Sequence, residues 1–144
     1  MDSIRIFGYK SFKKLSVQLH PINLLIGANG AGKSNFLSLF EMLGNIYEKR
    51  LGAYVAQVGG VDKLLYQGRK VTDRIAVNLL IAKSEYDLAL LESDGKLIVE
   101  REVVGCYDDV CPLDLVRKNV ITEFQSESSL KDHKEEDLSN YISQ

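Results

Sequence analysis

The chain has 144 residues, 45% of them apolar and 26% charged, with 2 cysteines and a formal net charge of −2. Those values lie near globular averages and exclude a wholly disordered chain, a collagen-like fibre and a disulfide-stapled miniature. No apolar run approaches the roughly 18 residues of a membrane span, and the first residues lack the charged-then-apolar layout of a secretory signal, so a cytoplasmic protein without a membrane partner is expected.

In chain order, Ile4 and Ile6 mark a first strand, and Leu15, Val17 and Leu19 alternate with Ser16, Gln18 and His20 in a half-buried second one. Residues 22–26, Ile-Asn-Leu-Leu-Ile, are apolar on both faces except at Asn23, the pattern of a central strand covered on both sides. That run enters Gly27-Ala28-Asn29-Gly30-Ala31-Gly32-Lys33-Ser34-Asn35, a complete G-x-x-x-x-G-K-S phosphate loop. By composition alone such a pattern arises about once in 200 chains of this length. Gly27 and Gly32 let the backbone fold around a phosphate chain where a β-carbon would clash or forbid positive φ. A helix opening near Lys33 adds its unpaired first-turn amides and positive dipole end to the same place. The expected ligand is therefore ATP with Mg²⁺: Lys33 on the β- and γ-phosphates, Ser34 on the metal, and residues 27–35 as the cradle.

Phe36, Phe40, Leu43 and Tyr47 recur at helical spacing and predict a helix from about Lys33 to Glu48. Residues 50–60 are glycine-punctuated and low in pattern, and a short helical turn is expected at 61–66. From Arg74 the chain reads as an antiparallel meander: Ile75, Val77, Leu79 and Ile81, then Tyr86, Leu88 and Leu90, then Leu97, Val99 and Val103, with Asp94-Gly95 as a hairpin turn. Residues 125–144 are polar and predict a mobile tail after a lobe spanning 1–124. Cys106 and Cys111 read as two reduced thiols, and His20 and His133 stand alone, so neither residue type offers a metal site.

Charge is unevenly spread. Residues 1–74 hold 11 Lys or Arg against 5 Asp or Glu, a net of +6, whereas residues 75–144 hold 7 against 15, a net of −8. A basic half suits a nucleotide and would also suit DNA as a partner, but its cations are scattered and the acidic half argues against one continuous nucleic-acid groove.

The opening Ile4-Arg5-Ile6-Phe7-Gly8-Tyr9-Lys10-Ser11-Phe12, followed by Asn23 through Asn35, resembles the start of the ATP-binding heads of RecF, SMC and related bacterial AAA-family ATPases. Gly59-Gly60-Val61-Asp62-Lys63-Leu64-Leu65-Tyr66-Gln67-Gly68-Arg69-Lys70 is similar to a segment of one bacterial subgroup, so the resemblance covers about residues 1–105. It implies an α/β P-loop NTPase fold with an ABC-type mixed sheet and an antiparallel meander. It also implies adenine as the base and places Lys10, Ser11 and Phe12 on the base side of the site.

Two motifs of that family are missing. Hydrolysis there uses a Walker B strand ending in Asp-Glu and a Ser-Gly-Gly signature from a partner head. The nearest look-alike, Leu88 to Glu92, reads better as a strand of the Asp94-Gly95 hairpin, and no catalytic residue is assigned. The expected partners are accordingly a C-terminal lobe outside this sequence or a second head, a homodimer in a full-length protein. Three readings follow: the N-terminal ATP-binding lobe of a RecF- or SMC-like ATPase, a non-hydrolysing nucleotide-binding or interaction module, and a self-sufficient small NTPase.

Overall fold

A computed structural model describes residues 2–82, 84–106, 119–128 and 130–133. Alternating side chains build β1 (Asp2–Tyr9) and β2 (Phe12–Leu19) into a hairpin, with Ile4 opposite Val17 and Ile6 opposite Leu15. On the other edge of β1 lies β3 (Arg74–Ile81), which sets Leu79 beside Ile4 and Val77 beside Ile6. The meander continues through β4 (Ser84–Ser93) and β5 (Lys96–Cys106), and β6 (Asn119–Gln125) closes the order β2-β1-β3-β4-β5-β6. Asp94 (φ 51°) and Gly95 (φ 77°) both take positive φ between β4 and β5, as a two-residue hairpin turn that follows the sheet's twist requires.

One face of this sheet carries the core. Ile4, Ile6, Ile75, Val77, Leu88, Leu90, Leu97 and Val99 are buried in one cluster with Phe36, Leu39, Met42 and Ile46 of α1 (Lys33–Tyr47). The 3-4 spacing of those four helical residues gives α1 its single apolar stripe. Leu51, Tyr54 and Val55 of α2 (Leu51–Gln57) extend the cluster, and so do Val61, Leu64 and Leu65 in and after a 3₁₀ turn at Val61–Lys63. α1 and the meander form where the sequence pattern places them, but of the expected stripe Phe36, Phe40, Leu43 and Tyr47 only Phe36 is buried, the others giving way to Leu39, Met42 and Ile46; α2 and β6 arise where no element was expected.

Two further differences concern the sheet. Every strand pair is antiparallel among the described residues, so the expected mixed sheet is not formed by them. Residues 22–26 are not a central strand: they join no ladder, and Ile22, Leu24, Leu25 and Ile26 are 89%, 81%, 42% and 83% exposed. A strand is defined by its neighbour, and no described segment lies alongside to pair with this one.

The stretch after β6, expected to be mobile, is tied down at its beginning. The Glu127 carboxylate accepts the Leu51 and Gly52 amides at 3.0 and 3.3 Å, capping α2, which has no capping side chain of its own. Ser128 donates to the buried Glu102 carboxylate at 2.8 Å, and Lys131 of α3 (Leu130–His133) bonds Glu48 just beyond α1. Glu127→Ala should therefore lower stability by roughly 1 to 2 kcal/mol, the loss of a charged helix cap. A urea titration showing no shift of midpoint would contradict this role.

Candidate functional site

The phosphate-loop sequence forms a turn of its own between residues 22–26 and α1. Ala31 N–H donates to Ala28 O at 3.2 Å, and Gly30 and Gly32 stand at φ 83° and 90°. Gly32 is the residue from which α1 starts, and its carbonyl receives the Phe36 amide at 2.9 Å. α1 has no side-chain cap and no acidic residue in its first turn, so nothing of its own competes for the amides there. The Lys33 ammonium spans the loop, donating to Gly27 O at 2.5 Å and Ala28 O at 2.7 Å. Lys33 thus lies across the concavity that its amides define, a position a phosphate oxygen would contest.

The β1–β2 turn lies against this loop. A β-carbon placed on Gly32 would stand 3.1 and 3.2 Å from ring carbons of Phe12 and 3.2 Å from the Ser11 hydroxyl. On Gly27 it would meet the Ala31 β-carbon at 3.1 Å. Asn35 donates from its side-chain amide to Ser11 Oγ at 2.9 Å, joining the first turn of α1 to the same corner. Ser34, Asn29 and Ser11 are exposed. Ser11 and Phe12 therefore stand beside the phosphate loop, 15 or more residues away in sequence.

Lys10 lies at the same corner as Ser11 and Asn35. Its ammonium donates to Ser38 Oγ at 2.8 Å, one turn along α1, and burial lowers its pKa while the nearby Glu41 charge raises it. Tyr9 shares that hydroxyl at 2.9 Å, and Ser38 itself donates to Asn35 O at 2.9 Å. Burial pushes the Tyr9 hydroxyl well above the ordinary tyrosine range, so it stays protonated. This buried-edge network anchors α1 to β1, and the Lys10 ammonium is engaged in it.

A cleft of about 850 Å³ opens at the same corner, lined by Lys10, Ser11 and Asn35 on one side and by residues from Asp62 to Lys70 on the other. The sequence marks that second side only as a family likeness, with no part in the site. Its signal was present in Gly59-Gly60 and Gly68, which take φ 94°, 101° and 75° and fold the segment back onto β1.

Glu92 and Glu102 are engaged within the sheet. Glu92 accepts the Gly95 amide at 2.7 Å within the β4–β5 hairpin, the structural role its sequence suggested. Glu102, wholly buried, accepts the Tyr86 hydroxyl at 2.6 Å, and burial together with that carboxylate raises the tyrosine's pKa. Asp108, Asp109, Cys111 and the Cys106 side chain lie outside the described residues. Among the described residues no group of three or more His, Cys, Asp or Glu could hold a metal, and no helix is long and apolar enough to cross a membrane. In the described loop the exposed Ser34 hydroxyl is an oxygen donor of the kind Mg²⁺ takes, a fit that would need ligand phosphates to complete the shell.

A glycine loop running into an uncapped helix is the second half of the strand–loop–helix unit of a P-loop nucleotide-binding protein; residues 22–26, which enter the loop, do not form the strand half here. All of residues 1–144 match the family model described as AAA ATPase domain, and the chain belongs to that family. ATP binding and ATPase function, generally with Mg²⁺, are what the family carries. No curated protein and no solved structure matches the chain.

Proposed function

We propose that this chain binds Mg²⁺-ATP through residues 27–35 as a Walker A loop and acts as the N-terminal lobe of a RecF- or SMC-like head. The observation that carries the reading is the loop itself: two positive-φ glycines, an uncapped helix start and Lys33 poised over the loop carbonyls. In this reading the amides of the loop and of the first turn of α1 hold the β- and γ-phosphates, and Lys33 exchanges its two carbonyl contacts for phosphate oxygens. Ser34 supplies the one protein ligand to Mg²⁺. Asn35 and Ser11 fix the corner through their mutual hydrogen bond.

Hydrolysis is assigned to groups outside this lobe. Phosphoryl transfer needs an acid to complete the metal site and orient water. The nearest Walker B look-alike of the sequence, Glu92, is spent on a hairpin. The apolar segment 22–26 supports a further protein surface as partner. Four bulky side chains exposed in one short run mark a surface meant for covering, and the run's unpaired backbone suits strand addition. A C-terminal lobe or a second head would supply both the cover and the missing acid.

Steady-state phosphate release at saturating Mg²⁺-ATP, compared between wild type and Lys33→Ala, tests this division. Neither should approach about 1 per second, the low end of ordinary turnover. A Lys33-dependent rate of that order would favour the self-sufficient NTPase and remove the need for a partner.

A further inference from the structure

The cleft beside the phosphate loop has a second wall, and its chemistry is cationic. Lys63, Arg69 and Lys70 line it together with a single carboxylate, Asp62, and Lys10 stands opposite. Asp62 is already committed: it accepts the Arg69 backbone amide at 2.9 Å and pairs with the Arg69 guanidinium at 3.3 Å. That leaves Lys63 and Lys70, both exposed, with no carboxylate partner among the described residues.

The wall is built rather than loose. Tyr66 N–H donates to Gly8 O at 2.9 Å and Lys10 N–H to Leu64 O at 2.7 Å, so the segment is fastened to the same β1–β2 turn that lies against Gly32. Val61, Leu64 and Leu65 are buried beneath it. Gly68 takes φ 75°, a conformation that favours glycine, and a β-carbon there would stand 3.1 Å from Asp62 Oδ1 and press on that carboxylate. Each of these contacts fixes where the two lysines leave the backbone.

We infer that residues 62–70 form the nucleoside-side wall of the nucleotide site, with Lys63 and Lys70 facing the α-phosphate. The inference rests on the Walker A reading above. If Lys33 and the loop amides hold the β- and γ-phosphates, the remainder of the ligand must leave past Gly32. The cleft that opens there, by Ser11 and Asn35, is the described space that receives it. An anionic group entering a cleft with excess lysine is attracted by either ammonium, whereas a base or ribose gains little from charge. The α-phosphate is the anionic group at that end.

The test is calorimetric titration of wild type, Lys33→Ala and the double variant Lys63→Ala/Lys70→Ala with Mg²⁺-ATP, Mg²⁺-ADP and pyrophosphate. Both lysines are exposed, so the double variant should unfold at the wild-type urea midpoint. It should weaken ATP and ADP by one common factor, at least about tenfold for two lost charge-assisted contacts. Pyrophosphate, which needs only the β- and γ-positions, should bind the double variant as it binds wild type. Unchanged ATP and ADP affinities beside a weakened Lys33→Ala would overturn the wall while leaving the Walker A reading intact. Pyrophosphate weakened as much as ATP would overturn it too, by moving the lysines to the terminal phosphates. Equal binding by wild type and Lys33→Ala would overturn the Walker A reading and the inference together.

Discussion

Gly32→Val is expected to abolish measurable ATP binding, a loss of at least about a hundredfold, while far-UV circular dichroism stays close to wild type. Three effects act at one atom. Gly32 stands at φ 90°, where a β-branched residue is a conformational outlier. Its β-carbon would stand 3.1 Å from the Phe12 ring and 3.2 Å from Ser11 Oγ, closer than ordinary side-chain contacts. Valine adds two methyl groups beyond that point, and relief requires moving either the β1–β2 turn or the start of α1. Either movement breaks the Asn35–Ser11 corner and re-aims the loop amides. The rest of α1 is held by Phe36, Leu39, Met42 and Ile46, so the helix persists. A valine variant that binds ATP within about threefold of wild type, roughly 0.6 kcal/mol, would contradict this geometry.

Gly8→Ala should instead attack the fold. Gly8 takes φ 72° near the end of β1, and an added β-carbon would stand 2.1 Å from the carbonyl oxygen of Arg74 and 2.9 Å from the Thr72 methyl. The obstacle at 2.1 Å is backbone at the start of β3, which cannot rotate away as a side chain would. Left-handed strain alone costs about 1 to 3 kcal/mol, and separating β1 from β3 at this point adds to it. The expected loss is on the order of 4 kcal/mol or more, a large share of the 5 to 15 kcal/mol typical of a domain. The urea midpoint should fall steeply, or the variant should fail to fold. A loss under about 1 kcal/mol would mean that β1 and β3 are not held at this separation.

What the sequence disclosed, and what it withheld, follows from the range of the interactions. The phosphate loop, α1 and the β4–β5 hairpin are local: glycine conformations, a 3-4 stripe and an Asp-Gly turn lie within a few residues of one another. α2 was not legible because its 7 residues are too few to form alone, and its cap is Glu127, 75 residues away. Residues 22–26 carry the apolar signature of a covered strand, but coverage depends on a neighbour, which the described residues do not provide. At the site, the seating of Ser11 and Phe12 against Gly32 joins the β1–β2 turn to the phosphate loop, a contact that no local pattern announces. The cationic wall at 62–70 depends on a fold-back onto Gly8 and Lys10, a contact no periodicity announces.

The central claim is that residues 27–35 are an ATP-binding loop, and Lys33 is its most exposed dependency. Among the described residues the Lys33 ammonium hydrogen-bonds Gly27 O and Ala28 O and is not part of the buried core, so Lys33→Ala should leave the fold intact. Titration of wild type and Lys33→Ala with labelled ATP in Mg²⁺ should show binding by wild type and a dissociation constant at least about tenfold higher for the variant, the loss of one charge-assisted contact of roughly 1.5 to 3 kcal/mol. Equal dissociation constants for the two proteins would remove Lys33 from the site and contradict the account.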